Sequence, residues 1–397
     1  MKYLLTVLCG LFLLASCKDD NDDPVEELLD RTVILYVTGD NNLSSDALNN
    51  ITSLAVGSTG IVNGKIVVLV DNYETKPTML VIGNGVVEIQ EEFDKEFYMT
   101  SPSMMQLLLT SVMNEYKSKS YGLILWGHST GWLIEKDTIP YNQVKTRGYG
   151  YDNNGGGSTT TSIWINYPTM AKVLESLPSK FDFIVGDCCL LQCAEVAYEL
   201  RNSTDYLIGS PAETPNDGIP YKEIVPYMFD TSVDSYFKIA QTIADKTYFF
   251  SGVSYNSPTS VIKTSEMENL AAATKKVISQ GLLPYPINDS QAIYYFNYGG
   301  IKIMYDMQNI FKNNVPAEAY TEWKKALDAA VVYKKGSNRW ATSYSWLNDF
   351  TVTDDNYGGM SMFFPMEKYN KMTIYLPNER IGKMQWYKAA GIDQYGR

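Results

Sequence analysis

Histidine is nearly missing from this sequence: His128 is the only one in 397 residues. That excludes every metal site built on two imidazoles, including the H-E-x-x-H helix, and any mechanism that needs a histidine pair. Chemistry that requires an imidazole must use His128. Positive charge is also short, with 33 Lys and Arg against 45 Asp and Glu and a formal net charge of −12. Broad attraction to nucleic acid or to an anionic bilayer is not expected, and no phosphate-binding motif is present. The apolar run at residues 3–16 is shorter than the ~20 residues a bilayer span takes. What remains is an ordinary globular balance, 45% hydrophobic and 20% charged, which excludes a mainly disordered chain. At ~150 residues per domain, the length allows two to three domains.

Residues 1–16 have a short positive start at Lys2 and then the apolar run, the pattern of a signal peptide. Leu14-Ala15-Ser16-Cys17 resembles the lipobox of bacterial lipoproteins. That resemblance implies lipidation of Cys17 and an exported protein held at the outer membrane or cell surface through that anchor alone. Residues 17–30, opening Lys18-Asp19-Asp20-Asn21-Asp22-Asp23-Pro24 after the cysteine, read as an acidic tether. Signal removal takes Cys9, and lipidation takes Cys17. The thiols left are Cys188, Cys189 and Cys193. Three clustered thiols are not a disulfide framework, and their spacing does not suit zinc. An exported thiol without a partner calls for an explanation: a reactive cysteine is one, and inert buried thiols beside a partly buried histidine are the other.

Strands are expected at Arg31–Val37, Lys65–Val70, Tyr121–Trp126, Phe181–Gly186, Tyr206–Ser210 and Gly359–Phe364, with a hairpin from Met79–Ile82 to Val86–Ile89. Helices are expected after Ser44 or Ser45, at Ser103–Tyr116, Met170–Leu177, Tyr236–Phe250 and Ala317–Tyr333, and from Leu190 to about Arg201. Residues 133–160 lack periodicity and read as a long flexible loop. The alternation predicts an α/β fold with a mostly parallel central sheet flanked by helices. Residues 31–255 would form its core, and residues 256–397 a C-terminal α/β extension completing or packing on it. Sites in such sheets lie beyond the carboxyl ends of the strands. His128 and Cys189 each follow a predicted strand directly.

An imidazole or a helix N-terminus converts a thiol into its nucleophilic thiolate. Cys189, opening the expected helix at Leu190, has both within reach if His128 is its partner. Acyl transfer follows: Cys189 attacks a carbonyl, His128 protonates the leaving amine, and backbone N–H groups of Cys189 and of a residue just after His128 hold the negative oxygen.

Leu123-Ile124-Leu125-Trp126-Gly127-His128-Ser129-Thr130-Gly131-Trp132 is similar to the LILWDHGGGW motif of the clostripain family, cysteine peptidases with a caspase-like fold. Asp187-Cys188-Cys189-Leu190-Leu191-Gln192-Cys193-Ala194-Glu195-Val196-Ala197-Tyr198-Glu199-Leu200 resembles its DACLMGSxEVAYEL segment, and Val33–Leu43 and Gly358–Pro365 resemble two of its strands. The resemblance implies an endopeptidase that cuts after Arg or Lys through a thioester acyl-enzyme. Cys189, not Cys188, would be the nucleophile and His128 its partner, with backbone oxyanion donors at Cys189 and Ser129. Asp187 would hold the basic side chain, helped by Asp217 or, as runner-up, Glu213. It also implies a zymogen that cuts itself within 133–160, with Lys145 and Arg147 the best-placed basic residues. The chemistry requires no cofactor. Calcium serves some members, and Asp152-Asn153-Asn154 and Asp354-Asp355-Asn356 offer oxygens, though neither has EF-hand spacing. Partners would be protein or peptide substrates, with no nucleic acid, and the protein would be a monomer.

This chain departs from the family at Gly127 (Asp in the motif), at Ser129 and Thr130 (Gly), at Cys188 (Ala) and at Gln192 (Gly). If position 129 required positive φ, Ser129 would be strained. The alternative is an impaired, non-catalytic surface lipoprotein that binds peptides or glycans on a face of its 30 Tyr and 7 Trp.

Overall fold

A computed structural model describes residues 28–73, 75–133, 148–153, 163–343, 346–372 and 376–396. Cys17, Lys145 and Arg147, with the expected signal segment and most of the tether, lie outside the described residues.

The strands, numbered along the chain, are β1 (Arg31–Gly39), β2 (Gly64–Asn72), β3 (Thr78–Gly83), β4 (Val86–Glu92), β5 (Tyr121–Trp126), β6 (Tyr149–Asp152), β7 (Ile163–Ile165), β8 (Phe181–Asp187) and β9 (Thr204–Gly209). There follow β10 (Thr247–Phe250), β11 (Val253–Asn256), β12 (Thr259–Lys263), β13 (Tyr294–Tyr298), β14 (Ile301–Asp306), β15 (Val331–Lys335), β16 (Arg339–Ser343), β17 (Trp346–Asp349) and β18 (Ser361–Met362). Nine of them form one sheet in the order β15-β12-β9-β8-β5-β1-β2-β3-β4. The centre, β2-β1-β5-β8-β9, is parallel, and the strands outside it are antiparallel. β12 and β15 carry residues after position 255 into this same sheet.

Period-two alternation serves both faces of the sheet. Val33, Leu35 and Val37 face α1 (Ser44–Gly57), α5 (Tyr221–Met228) and α6 (Val233–Asp245). Ile34 and Tyr36 face the larger core with α2 (Pro102–Glu115), α3 (Tyr167–Glu175), α4 (Ala194–Glu199), α7 (Met267–Ser279), α8 (Met307–Asn314) and α9 (Ala317–Ala330). Among the described residues no helix is long and apolar enough to cross a membrane.

Several expected boundaries shift. α6 ends at Asp245, and Thr247–Phe250, expected as its last turn, are β10. α9 ends at Ala330, and the β-branched Val331-Val332 start β15. The strand expected at Gly359–Phe364 shrinks to Ser361–Met362. α1 starts at Ser44 with no serine cap; Asn41 Oδ1 instead accepts the Leu43 N–H at 2.9 Å. The 133–160 stretch is not loop throughout: Tyr149–Asp152 is a strand paired with β7, and Tyr149 is fully buried.

Candidate functional site

The final register pair of the parallel strands β5 and β8 is Trp126 with Asp187. His128 and Cys189 each lie two residues past that pair, in the turns that follow strands ~4.8 Å apart. The Gly127 N–H donates to the Asp187 carbonyl at 3.2 Å, so the two turns stay tied past the strand ends. Both side chains line one cleft of about 600 Å³, with Glu213, Thr214 and Asp217 on its wall.

Nε2 of His128 lies 2.9 Å from Asn42 Oδ1. An amide oxygen only accepts, so Nε2 carries the proton and Nδ1 is the basic nitrogen of the neutral ring. Burial pushes the imidazole down to about 4. The ring is flanked by Tyr151 and Trp164, each with its centroid 6.2 Å away. β6 clamps the turn: Gly150 N–H donates to the His128 carbonyl at 2.8 Å and Thr130 N–H to the Gly148 carbonyl at 2.9 Å.

Those two bonds flank the Ser129–Tyr149 bridge and leave the Ser129 N–H outside the ladder, as an oxyanion donor needs. The strain expected at Ser129 does not occur. Positive φ falls instead on Gly127 (140°) and Gly131 (58°). Ser129 Oγ turns inward to Tyr167 Oη at 3.0 Å. A Cβ at position 127 would sit 2.2 Å from Thr38 Oγ1. In this chain Thr38 fills the space that the family's aspartate would need.

Cys189 is half-buried, and its Sγ accepts the Thr214 N–H at 3.3 Å. Burial, then the charge of Glu213, pushes the thiol up to about 12, while the Thr214 N–H pulls it down. The expected helix N-terminus at Cys189 is absent: α4 starts at Ala194, Cys189 and Leu190 form a turn, and Cys193 bridges to Ser361. That turn needs Leu190 at φ 60°, held by its N–H to the Ala212 carbonyl at 3.0 Å. A left-handed non-glycine residue costs ~1–3 kcal/mol, and such strain gathers at functional sites. Thiol and imidazole are therefore both neutral at pH 7. Cys188 and Cys193 are free and buried, so Cys189 is the accessible thiol of the three. Gln192 donates to the Leu207 and Ser260 carbonyls at 3.0 and 2.7 Å, a packing role.

Asp187 is buried beneath the pair and lines a small recess with His128 and Cys189. Its Oδ2 accepts from Tyr221 Oη at 2.8 Å and from the Ile219 N–H at 3.3 Å. Burial lifts its carboxyl to about 6 against those bonds. Glu213 is half-buried and lifted to about 7 by burial, and Asp217 is exposed at the cleft wall. The fold thus brings Cys189, His128, Ser129, Asp187, Glu213 and Asp217 to one place. Asn42, Thr214 and Leu190 were not singled out from the sequence. Asn42 lay in the Asp40-Asn41-Asn42-Leu43 turn that resembles the family; the other two carry no local signal. Of the tryptophans, Trp132, Trp323, Trp340 and Trp386 fill the core, while Trp164 and Trp346 line the cleft.

The sequence model of the clostripain family matches residues 35–392. The chain belongs to the clostripain family. Clostripain of Hathewaya histolytica is 22% identical over 246 residues, 52% of this chain and 45% of its own, so the match spans about half of that relative. The structure described as an inactive zymogen C11 protease from Parabacteroides distasonis is 25% identical, with a TM-score of 0.73 over 92% of this chain and 99% of its own. A secreted C11 cysteine protease from Bacteroides thetaiotaomicron, solved with an irreversible peptide inhibitor, is also 25% identical, with a TM-score of 0.71 over the same shares. The mostly parallel, helix-flanked sheet is the fold of these clostripain-family proteases.

Proposed function

We propose that the protein is a cysteine endopeptidase that cuts after Arg or Lys. The observation that supports this reading is that His128 and Cys189, each two residues past the last paired residues of β5 and β8, line one acid-walled cleft. From the neutral pair, His128 Nδ1 takes the thiol proton as Sγ attacks the scissile carbonyl. The N–H groups of Cys189 and Ser129 hold the oxyanion. His128 then protonates the leaving amine, and water hydrolyses the thioester. Asp187 and Asp217 receive the basic side chain, with Glu213 as a secondary charge.

The same reading extends to self-cleavage at Lys145 or Arg147 and to anchoring through Cys17 at the outer membrane or cell surface. The relatives described as a zymogen and as secreted support the first and the export. The test is labelling with a peptidyl probe that carries a P1 Arg or Lys and a thiol-reactive group, on wild type, Cys189→Ala and His128→Ala. Expected are labelling of the wild type alone and a wild-type mass that reports a cut between residues 133 and 148. Label on Cys189→Ala, or none on any form of the wild type, sinks the peptidase and favours a binding protein.

A further inference from the structure

The cleft that holds Cys189 and His128, at about 600 Å³, is large enough for several side chains rather than one. Its wall divides by chemistry. The acids on it are Glu213 and Asp217, and every described residue of the wall after Asp217 is uncharged. Four large apolar side chains reach it from two hairpins: Phe249 and Phe250 from the tip of β10–β11, and Trp346 and Leu347 from β17. Phe249 is 72% exposed and Trp346 68%. Large apolar groups left open to water around a cleft mark a place where a ligand covers them.

The β10–β11 hairpin is a separate two-stranded sheet, outside the nine-stranded one. Its turn residues Ser251 and Gly252 both have positive φ, 50° and 80°, the form that suits the twist of a tight hairpin. Its base is tied to the acidic part of the wall. Lys246 Nζ and Tyr248 Oη donate to the Gly218 carbonyl at 2.9 and 3.1 Å, one residue from Asp217. Phe250 pairs with Val253 and Tyr248 with Tyr255, so these four side chains share one face. Tyr255 lies close enough to the catalytic thiol that burial and the charges of Asp217, Cys189 and Glu213 push its hydroxyl up to about 12. β11 runs beside β16, whose hairpin with β17 carries Trp346. His128, in contrast, is flanked by Tyr151 and Trp164. In acyl transfer the leaving amine departs toward the imidazole and the acyl half stays on the thiol. The hairpin stands on the thiol side, so it lies along the acyl half.

Resting on the peptidase reading above, we propose that Phe249, Phe250, Trp346 and Leu347 form an apolar subsite. Its ligand is an aliphatic or aromatic side chain of the substrate, two to four residues before the cut. Specificity then has two parts. Charge selects the basic residue at the cut, and apolar burial selects the sequence leading up to it. The subsite is hidden in the sequence because Tyr248-Phe249-Phe250 continues the apolar pattern of α6.

The test uses the active whole protein and internally quenched peptides built on Gly-Gly-Gly-Arg-Gly-Gly, with Leu replacing each glycine in turn. Leu at one or more positions before the Arg should raise kcat/KM about tenfold or more over the all-glycine peptide. Leu after the Arg should not. Phe250→Ser and Trp346→Ser, both at side chains open to solvent, leave no buried cavity. In each, the ratio between the best Leu peptide and the all-glycine peptide should fall below about threefold. A wild type that cuts after Arg with a ratio near one, or that responds only to Leu after the cut, overturns the subsite and leaves the peptidase reading standing. A ratio unchanged in both variants overturns it equally. No cleavage of any peptide sinks the peptidase reading, and the subsite with it.

Discussion

His128 has no understudy, so the amide that holds its Nε2 carries unusual weight. Asn42 holds the Nε2 proton and thereby fixes Nδ1 as the base. Asn42→Ala frees the ring to flip its tautomer. Because positioned acid–base catalysis is worth 10²–10⁴-fold, kcat on an Arg ester or peptide should fall about 10²-fold with KM nearly unchanged. An equal loss in KM would place Asn42 in substrate binding instead. The neutral Cys189 thiol adds a second expectation at this scale. With its titration pushed to about 12, alkylation by iodoacetamide should be slow at pH 7 and climb steadily past pH 10. A plateau near pH 7 would mean that a thiolate is already present.

Asp187 gives a third. Its carboxyl is lifted to about 6, so it is ionised above that value and neutral below it. KM for a basic substrate should rise as pH falls from 7 to 5. His128, lowered to about 4, keeps its charge state through that window and does not confuse the profile. Glu213, lifted to about 7, titrates in the same window, so the profile is read on Glu213→Gln. There, a KM that stays flat from pH 7 to 5, or that still climbs when Asp187→Asn is added, would remove Asp187 from the pocket.

At the scale of elements, the turn after β5 tolerates glycine alone at position 127. With φ at 140° and Thr38 Oγ1 2.2 Å from any added Cβ, Gly127→Ala should cost about 2–3 kcal/mol in urea unfolding. A cost under ~0.5 kcal/mol would mean that Thr38 yields freely. The same turns show what pattern could and could not reveal. Continuous apolar runs announced β1, β2, β5 and β8, and with them the strand ends where His128 and Cys189 stand. The start of α4 was misplaced by four residues because Leu190 adopts a left-handed backbone, which no leucine advertises. Thr247-Tyr248-Phe249-Phe250 was taken into a helix because short apolar stretches fit either period.

At the scale of the molecule, a cut between residues 133 and 148 would place β5 on one piece and β8 on the other. β5 is paired on both sides, with β1 from its own piece and β8 from the other. The pieces should therefore elute together at the size of the uncut chain and part only in denaturant, seen as two masses from one chromatographic peak. Elution as two separate species would contradict the sheet as the joint.

The register of β5 against β8 has a consequence for how this protein fails. His128 and Cys189 each stand only two residues past paired strands, so the gap between them is anchored on the edge of the sheet rather than on a long loop. Warming that leaves the sheet intact cannot detune it gradually, and warming that melts the sheet destroys it outright. A population part-way through heat damage would be a mixture of fully competent and silent copies rather than uniformly sluggish ones, with turnover per surviving molecule constant to the end.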